Sequence, residues 1–364
     1  MTAEPSTASA DVLVIAAFGK RVNGQPRPGK VFTHLEPIAR AANRVTYVTP
    51  GPPAHTSPGI EYRRIRPTQS RFLRLLLQWI VAIRLARSNE YDVIVSFSLF
   101  PYGFFALSAK YLSGTPAHLG IIGIDLDVHA SGRYGTLVRW AFRRFDVVTV
   151  AGEDHRLRLI NAGVAPNRAV SVLHPVAPRF AHAGPDDDPA WDVLWIGRMS
   201  PEKDPITYVK AIQECHERGQ PVTAGMVGRG PVDGTVAAVV RDCGLTTSLS
   251  QPGWMPDPID AYRNAKLLVV TSRREMLPLS LVEAMSVGIP VVAPAIGAIP
   301  DVIEDGQDGI IVDNRSPATF ATAIMTILDE HDQFADRAAQ LPNRLNAESE
   351  AQVWRTIFAR IDAN

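Results

Sequence analysis

Two cysteines in 364 residues, Cys215 and Cys243, leave no disulfide framework and no cysteine-rich metal site. Structural thiols in a reducing compartment are expected. Long apolar runs are scarce as well. The longest, "RFLRLLLQWIVAIRLAR" (71–87), is bracketed by arginines, and its uninterrupted apolar part is too short to cross a bilayer. The opening "MTAEPSTASADVLVIAAFG" lacks a basic stretch followed by an apolar core, so no secretory signal is expected. Net charge is missing too, with Lys+Arg 37 against Asp+Glu 37. The balance conceals a division. Residues 1–180 carry 22 basic and 11 acidic side chains (+11), which leaves 15 (37 − 22) and 26 (37 − 11) for the remainder (−11). A basic half suits an anionic surface or ligand. Its arginines are scattered and no basic-aromatic motif accompanies them, which disfavours nucleic acid and leaves an anionic membrane surface as the better partner.

Hydrophobic residues at 46% and charged residues at 20% describe an ordinary globular chain, long enough for two domains. Short β-branched runs alternate with helical stretches. "DVLVIAAFG" (11–19), "RVTYVTP", "YDVIVSFS" (91–98), "AHLGIIGID" (117–125) and "FDVVTVAG" (145–152) read as buried strands, with helices from about Lys30 to Ala42 and over 71–87. The pattern breaks at "HPVAPRFAHAGPDDDPAWD" (174–192), where Pro, Gly and acidic residues mark a linker. It restarts with strands at 192–198, 222–230, 266–272, 289–294 and 309–313 and helices at 204–218, 232–243, 279–287 and 317–329. Continuous apolar strands alternating with helices predict an α/β chain of two doubly wound, Rossmann-like domains facing across a cleft, with a ligand at the carboxyl ends of the strands. The expected domains are 1–180 and 190–340. A last amphipathic helix within 345–364 is expected to pack back toward the N-terminal domain.

The chemistry-bearing residues cluster at predicted strand ends. In "WIGRMSPEKDP" (195–205), Gly197 and Arg198 leave a strand and Lys203 follows near a helix start. A guanidinium, an ammonium acting as a mobile point charge, and helix amides suit a diphosphate, although an ordinary surface Arg and Lys fit the spacing equally well. "VGRGP" (227–231) puts Gly228 in a turn suited to close approach of a ring. "REMLPLSLVEAMSVGIPVVAP" (273–293) sets Glu275 in a loop and Glu283 one turn inside the next helix, with Pro278 in its first turn. Residues 276–280 there would offer free backbone amides to an anion.

Together "GRMSPEKDP", "VGRGP", "EMLPLSLVEAMSVGIPVVA" and "GAIPDVIEDGQDGIIVD" resemble, in order and spacing, the GT-B glycosyltransferases of family 4. The resemblance covers most of 190–330. Over 1–180 it rests on topology and on "GIIGIDLD" (120–127). It implies retaining transfer of a sugar from a nucleotide-diphosphate donor, with no cofactor and no metal. Arg198 and Lys203 match the pair that neutralises the leaving diphosphate. Glu283 matches the glutamate that holds the ribose, and Glu275 the one beside the donor sugar. Met276 and Leu277 would present amides to sugar or phosphate, and Asp125 matches the acceptor-side aspartate. His118 and His129 are both candidates for a cleft histidine, and Gly29 with Lys30 for a diphosphate contact. The chain departs from the family at "RPGKVF", at "EML", and at "LHPVAPRF", where an Asn-Gly-Val-Asp turn is common.

The expected role is transfer to a lipid-linked or polysaccharide-precursor acceptor in the cytoplasm, with peripheral contact at the inner membrane face. Two other functions use the same architecture: a non-catalytic binding or scaffold subunit, and a nonhydrolysing sugar-nucleotide epimerase.

Overall fold

The β-branched runs become strands of two separate parallel sheets in the computed structural model, which describes residues 10–16, 21–22, 25–26, 30–49, 56–66, 68–122, 126, 129–130, 132–175 and 177–362. The chain divides into one unit of residues 1–174 and 346–364 and another of residues 175–345.

In the first unit, β1 (Asp11–Ile15) is followed by a small antiparallel pair, β2 (Arg21–Val22) and β3 (Gln25–Pro26), then α1 (Lys30–Ala41), β4 (Arg44–Thr49) and β5 (Ile60–Arg64). Next come α2 (Arg71–Ala86), β6 (Val93–Phe97), α3 (Phe104–Ser113), β7 (Ala117–Ile121), α4 (Gly135–Phe142), β8 (Val147–Val150), α5 (Glu153–Asn161) and β9 (Ala169–Ser171). The seven-stranded sheet runs β5-β4-β1-β6-β7-β8-β9, all parallel. Its central strands are buried along their whole length, which is why they read as unbroken apolar runs.

The second unit contains α6 (Pro178–Ala181), β10 (Trp191–Ile196), α7 (Pro205–Glu217), β11 (Ala224–Val227), α8 (Asp233–Asp242), β12 (Leu249–Gly253), α9 (Ile259–Arg263) and β13 (Ala265–Val269). It continues with α10 (Leu279–Val287), β14 (Val291–Pro294), β15 (Gly309–Val312), α11 (Pro317–Asp329), α12 (His331–Ala338) and α13 (Leu341–Arg344). The parallel order is β12-β11-β10-β13-β14-β15. The chain winds from β10 outward through β11 and β12, then returns to place β13 on the other side of β10. Loops leaving β10 and β13 therefore part at the point where the winding reverses, and a doubly wound sheet opens its ligand crevice at such a point.

The last helix, α14 (Ala347–Asp362), rejoins the first unit against α1, where Trp354, Ile357 and Phe358 enter the core with β1, β4 and β6. At about 25 cal/mol per Å², two fully buried aromatic rings stabilise that docking by several kcal/mol. Among the described residues no helix is long and apolar enough to cross a membrane. The 71–87 segment forms α2, which buries Gln78, Ala82 and Ala86 and leaves Phe72, Leu73 and Ile80 exposed. Gln78 Nε2 donates to the Val48 carbonyl at 3.1 Å, so this helix lies against the sheet at β4 and keeps an apolar flank outside.

Candidate active site

Gly197 and Arg198 follow directly on β10, and Gly228 on β11. Glu275 lies in the loop after β13, since that strand ends at Val269, three residues earlier than the apolar run suggested. These three strands are neighbours at the centre of the second sheet, so their carboxyl ends bring the residues to one edge.

Arg198 is exposed and makes no hydrogen bond or ion pair among the described residues. Lys203 differs. Its ammonium donates to Glu275 Oε1, which also accepts from Ser272 Oγ at 2.7 Å. Side-chain exposure is 28% for Lys203 and 11% for Glu275, so the pair is partly desolvated and its charges are only partly screened. The expectation of a mobile ammonium is corrected: Lys203 is held.

A second layer fixes the Lys203 turn. Asp204 adopts a left-handed conformation (φ 49°), is buried, and stands at the N-cap position before Pro205 without bonding the helix amides through its side chain. Its carboxylate accepts from Arg315 Nη2 at 2.7 Å and from Arg273 Nε at 3.1 Å. Thr271 Oγ1 offers its proton to the carbonyls of Lys203 and Asp204 (3.0 and 2.8 Å) and accepts from Trp195 Nε1 at 3.1 Å. The loops after β10 and β13 are thus laced together by groups the sequence analysis did not single out. Arg273 was signalled only as a neighbour of Glu275, and Arg315 by nothing local.

Gly228 has φ 144°, and a Cβ there would overlap the Gly197 carbonyl; one at Gly230 would overlap the Met199 carbonyl. Met199 N donates to the Arg229 carbonyl at 3.1 Å. The glycines of "VGRGP" therefore serve first to bring two backbone segments together. Gly297 acts similarly on the other side. With φ 58°, it lies where a Cβ would overlap the carbonyls of Glu275 and Met276, and Ala298 N donates to the Met276 carbonyl at 2.7 Å.

Pro278 occupies the N-cap position before α10 rather than its first turn, and as proline it supplies no amide. The amides of Met276, Leu277, Leu279 and Ser280 have no acceptor among the described residues, leaving four donors at a helix start. On α10, Glu283 Oε2 accepts from Tyr262 Oη at 2.7 Å. Burial raises the Glu283 carboxyl above the usual range, opposed by the Tyr262 hydrogen bond and by Arg179.

The first-unit candidates are described within their own unit. His118 is corrected: it is fully buried on β7, with Nε2 3.0 Å from Thr149 Oγ1 and its ring edge-on to Trp354 at 4.9 Å. Burial pushes its pKa down to about 3, so it is a neutral core histidine that solvent and ligand do not reach. His129 is half-buried and edge-on to Phe100 at 5.5 Å. Gly29 and Asp125 lie outside the described residues.

Comparison with known proteins agrees with this layout. Residues 9–175 match the model of a glycosyl transferase 4-like domain, and residues 190–330 match that of glycosyl transferases group 1. The D-inositol 3-phosphate glycosyltransferase of Corynebacterium glutamicum is 27% identical over 146 residues, 38% of this chain and 35% of that protein. The alpha-D-kanosaminyltransferase of Streptomyces kanamyceticus is 30% identical over 164 residues, 44% of this chain and 42% of that protein. The chain thus spans less than half the length of these curated relatives. Anabaena HepE, solved in complex with UDP and glucose, superimposes with a TM-score of 0.72 at 17% identity, covering 96% of this chain and 99% of that one. Two parallel doubly wound sheets, the two matched domains and the strand-end constellation of the second unit agree: the chain belongs to the group 1 glycosyltransferases and has the GT-B fold.

Proposed function

We propose that the protein is a retaining hexosyltransferase that moves a sugar from a nucleotide-diphosphate donor to a lipid-linked or polysaccharide-precursor acceptor, without a metal at the reacting centre. The observation that carries this reading is the grouping of exposed Arg198, the Lys203–Glu275 pair and four unpaired amides at the start of α10. Departure of a nucleotide diphosphate places two or more negative charges on oxygen. Arg198 and Lys203 would neutralise them, and the amides of Met276 and Leu277 would add preorganised donors in a partly dry site. Once Lys203 turns toward phosphate, Glu275 is released to accept hydroxyls of the donor sugar. Glu283, steadied by Tyr262, would accept the two ribose hydroxyls. UDP in the HepE structure supports a nucleotide-sugar donor.

For the acceptor, support comes from the +11 charge of residues 1–180 and the exposed apolar flank of α2 among Arg71, Arg74, Arg84 and Arg87. A basic, half-apolar helix suits an anionic membrane interface.

The test is a thermal-shift series with UDP, GDP, ADP and CMP on the wild type and Glu283→Ala, followed by turnover of sugars carried on the nucleotide that binds. A nucleotide at about a hundred times its Kd stabilises by roughly 2.7 kcal/mol. One nucleotide should shift the wild type and not the variant. No shift with any of the four, or an equal shift in the variant, would remove the donor assignment.

A further inference from the structure

We propose that His34, His174 and Glu350 form a binding site for a divalent first-row transition ion in the first unit.

The three residues come from distant parts of the chain. His34 is on α1, His174 follows β9 as the last residue before the chain leaves the unit, and Glu350 lies in the first turn of α14, just after it returns. His34 Nδ1 is 2.8 Å from His174 Nδ1, which is 3.0 Å from Glu350 Oε1. One ligand atom from each falls within 4.8 Å of the others. His34 is 4% and Glu350 1% exposed, and the His174 side chain is 13% exposed.

Protons alone satisfy this cluster poorly. A single nitrogen, His174 Nδ1, has either one proton or one lone pair, yet it faces two polar atoms at hydrogen-bond distance. Glu350 Oε2 is a second, independent sign: it is buried and has no partner among the described residues. A buried carboxyl oxygen left so has lost its hydration with no hydrogen bond in return. A cation resolves the conflict by taking lone pairs from all three residues.

The spacing fits a metal. Ligand atoms about 2.1 Å from one ion and at right angles to each other lie about 3.0 Å apart, against the 2.8 and 3.0 Å found. Two imidazoles and a carboxylate select a borderline transition ion rather than Mg²⁺ or Ca²⁺. An outer layer is in place as well. Trp354 Nε1 donates to Glu350 Oε1 at 3.1 Å, and His34 stacks on Phe97 with ring centroids 5.1 Å apart. Bound there, the ion would pin to α1 both places where the chain passes between the units. The site shares no residue with the donor-binding group.

The probe is the metal alone. The full chain, carrying no histidine tag, is stripped with chelator and titrated with Co²⁺, followed by d–d absorption and then by Zn²⁺ competition. The expected result is one ion per chain, displaced by Zn²⁺ and indifferent to Mg²⁺. Tm should rise with free metal. His174→Gln and Glu350→Gln should each weaken binding at least tenfold. Far-UV circular dichroism checks that both fold, and His34→Gln replaces either that does not. A wild type that takes up no ion overturns the proposal, as does uptake unchanged in the variants. Neither result touches the nucleotide-binding assignment, which is read separately by the nucleotide thermal shift.

Discussion

Lys203 and Glu275 hold each other: the ammonium donates to Oε1, although 72 residues separate them and they leave different strands. The cation proposed for phosphate and the carboxylate proposed for sugar are thus kept in register by mutual neutralisation. Removing either leaves the other partly buried and underpaired.

Lys203→Ala and Arg198→Ala should therefore differ. Both are expected to lower kcat/KM by about 100- to 1,000-fold, the usual loss when a donor aimed at developing charge is removed. Only Lys203→Ala should also lower stability, by roughly 1–2 kcal/mol. Arg198→Ala, whose side chain is exposed and unpaired among the described residues, should stay within about 0.5 kcal/mol of wild type. Chemical denaturation beside steady-state kinetics separates the two. Equal Tm losses would refute the distinction.

Glu283 gives a pH dependence. Burial raises its folded pKa, so its contribution to stability is fully present below the ordinary value near 4.5 and is lost as pH rises through the raised value. Nucleotide binding should run the opposite way, because ribose hydroxyls are best accepted by the ionised carboxylate. Affinity is expected to fall as pH drops through the raised Glu283 value. Glu283→Gln should bind about 10- to 100-fold more weakly at neutral pH and lose that dependence. Calorimetric titration from pH 8 to pH 5 reads both.

Gly228→Ala should cost more than an ordinary surface glycine change. The new Cβ meets the Gly197 carbonyl at a φ of 144°, so the loops after β10 and β11 must part. A loss of about 2–4 kcal/mol and weaker nucleotide binding are expected. Gly219→Ala, also at positive φ but with open space around its Cβ, isolates the conformational part of that cost.

His118→Phe tests the reassigned histidine. With no ligand contact to lose, the variant should keep its nucleotide affinity and kcat within about twofold, while Tm moves by a few degrees. A selective loss of kcat with unchanged Tm would restore His118 as a cleft-histidine candidate.

Phe72→Asp with Leu73→Asp probes α2, since both side chains are exposed and neither enters the core. Sedimentation with vesicles rich in phosphatidylglycerol should fall at least tenfold, with nucleotide shifts unchanged. Equal pelleting of variant and wild type would remove the membrane from the proposal.

Much of the fold was legible because a buried parallel strand has to be apolar on both faces. "DVLVI", "VIVSF" and "KLLVV" declare themselves for that reason. Short edge strands such as β5 and β9 and the exposed helix α5 escaped notice, since solvent on one side dilutes the pattern. The strand-end motifs were equally readable, and Arg198, Lys203, Glu275 and Glu283 all fall on the second unit's sheet edge or on α10. Gly228 was singled out for close approach of a ring, whereas the group that the fold brings against it is the Gly197 backbone. His118 was a candidate for a cleft histidine through the family resemblance; the structure buries it in the core, with Nε2 beside Thr149 Oγ1 and Nδ1 without a partner among the described residues.

By itself the sequence determined where strands and helices alternate, the break near residue 174, and the family to which the motifs belong. Those features depend on local periodicity and on short-range spacing, which a linear chain carries completely. Only the tertiary structure decided which charges meet: Lys203 with Glu275, Asp204 with Arg315, Glu283 with Tyr262, His174 with Glu350. Each pair spans between 21 and 176 positions, and its formation depends on strand order and on burial, quantities that exist only after the sheets have closed.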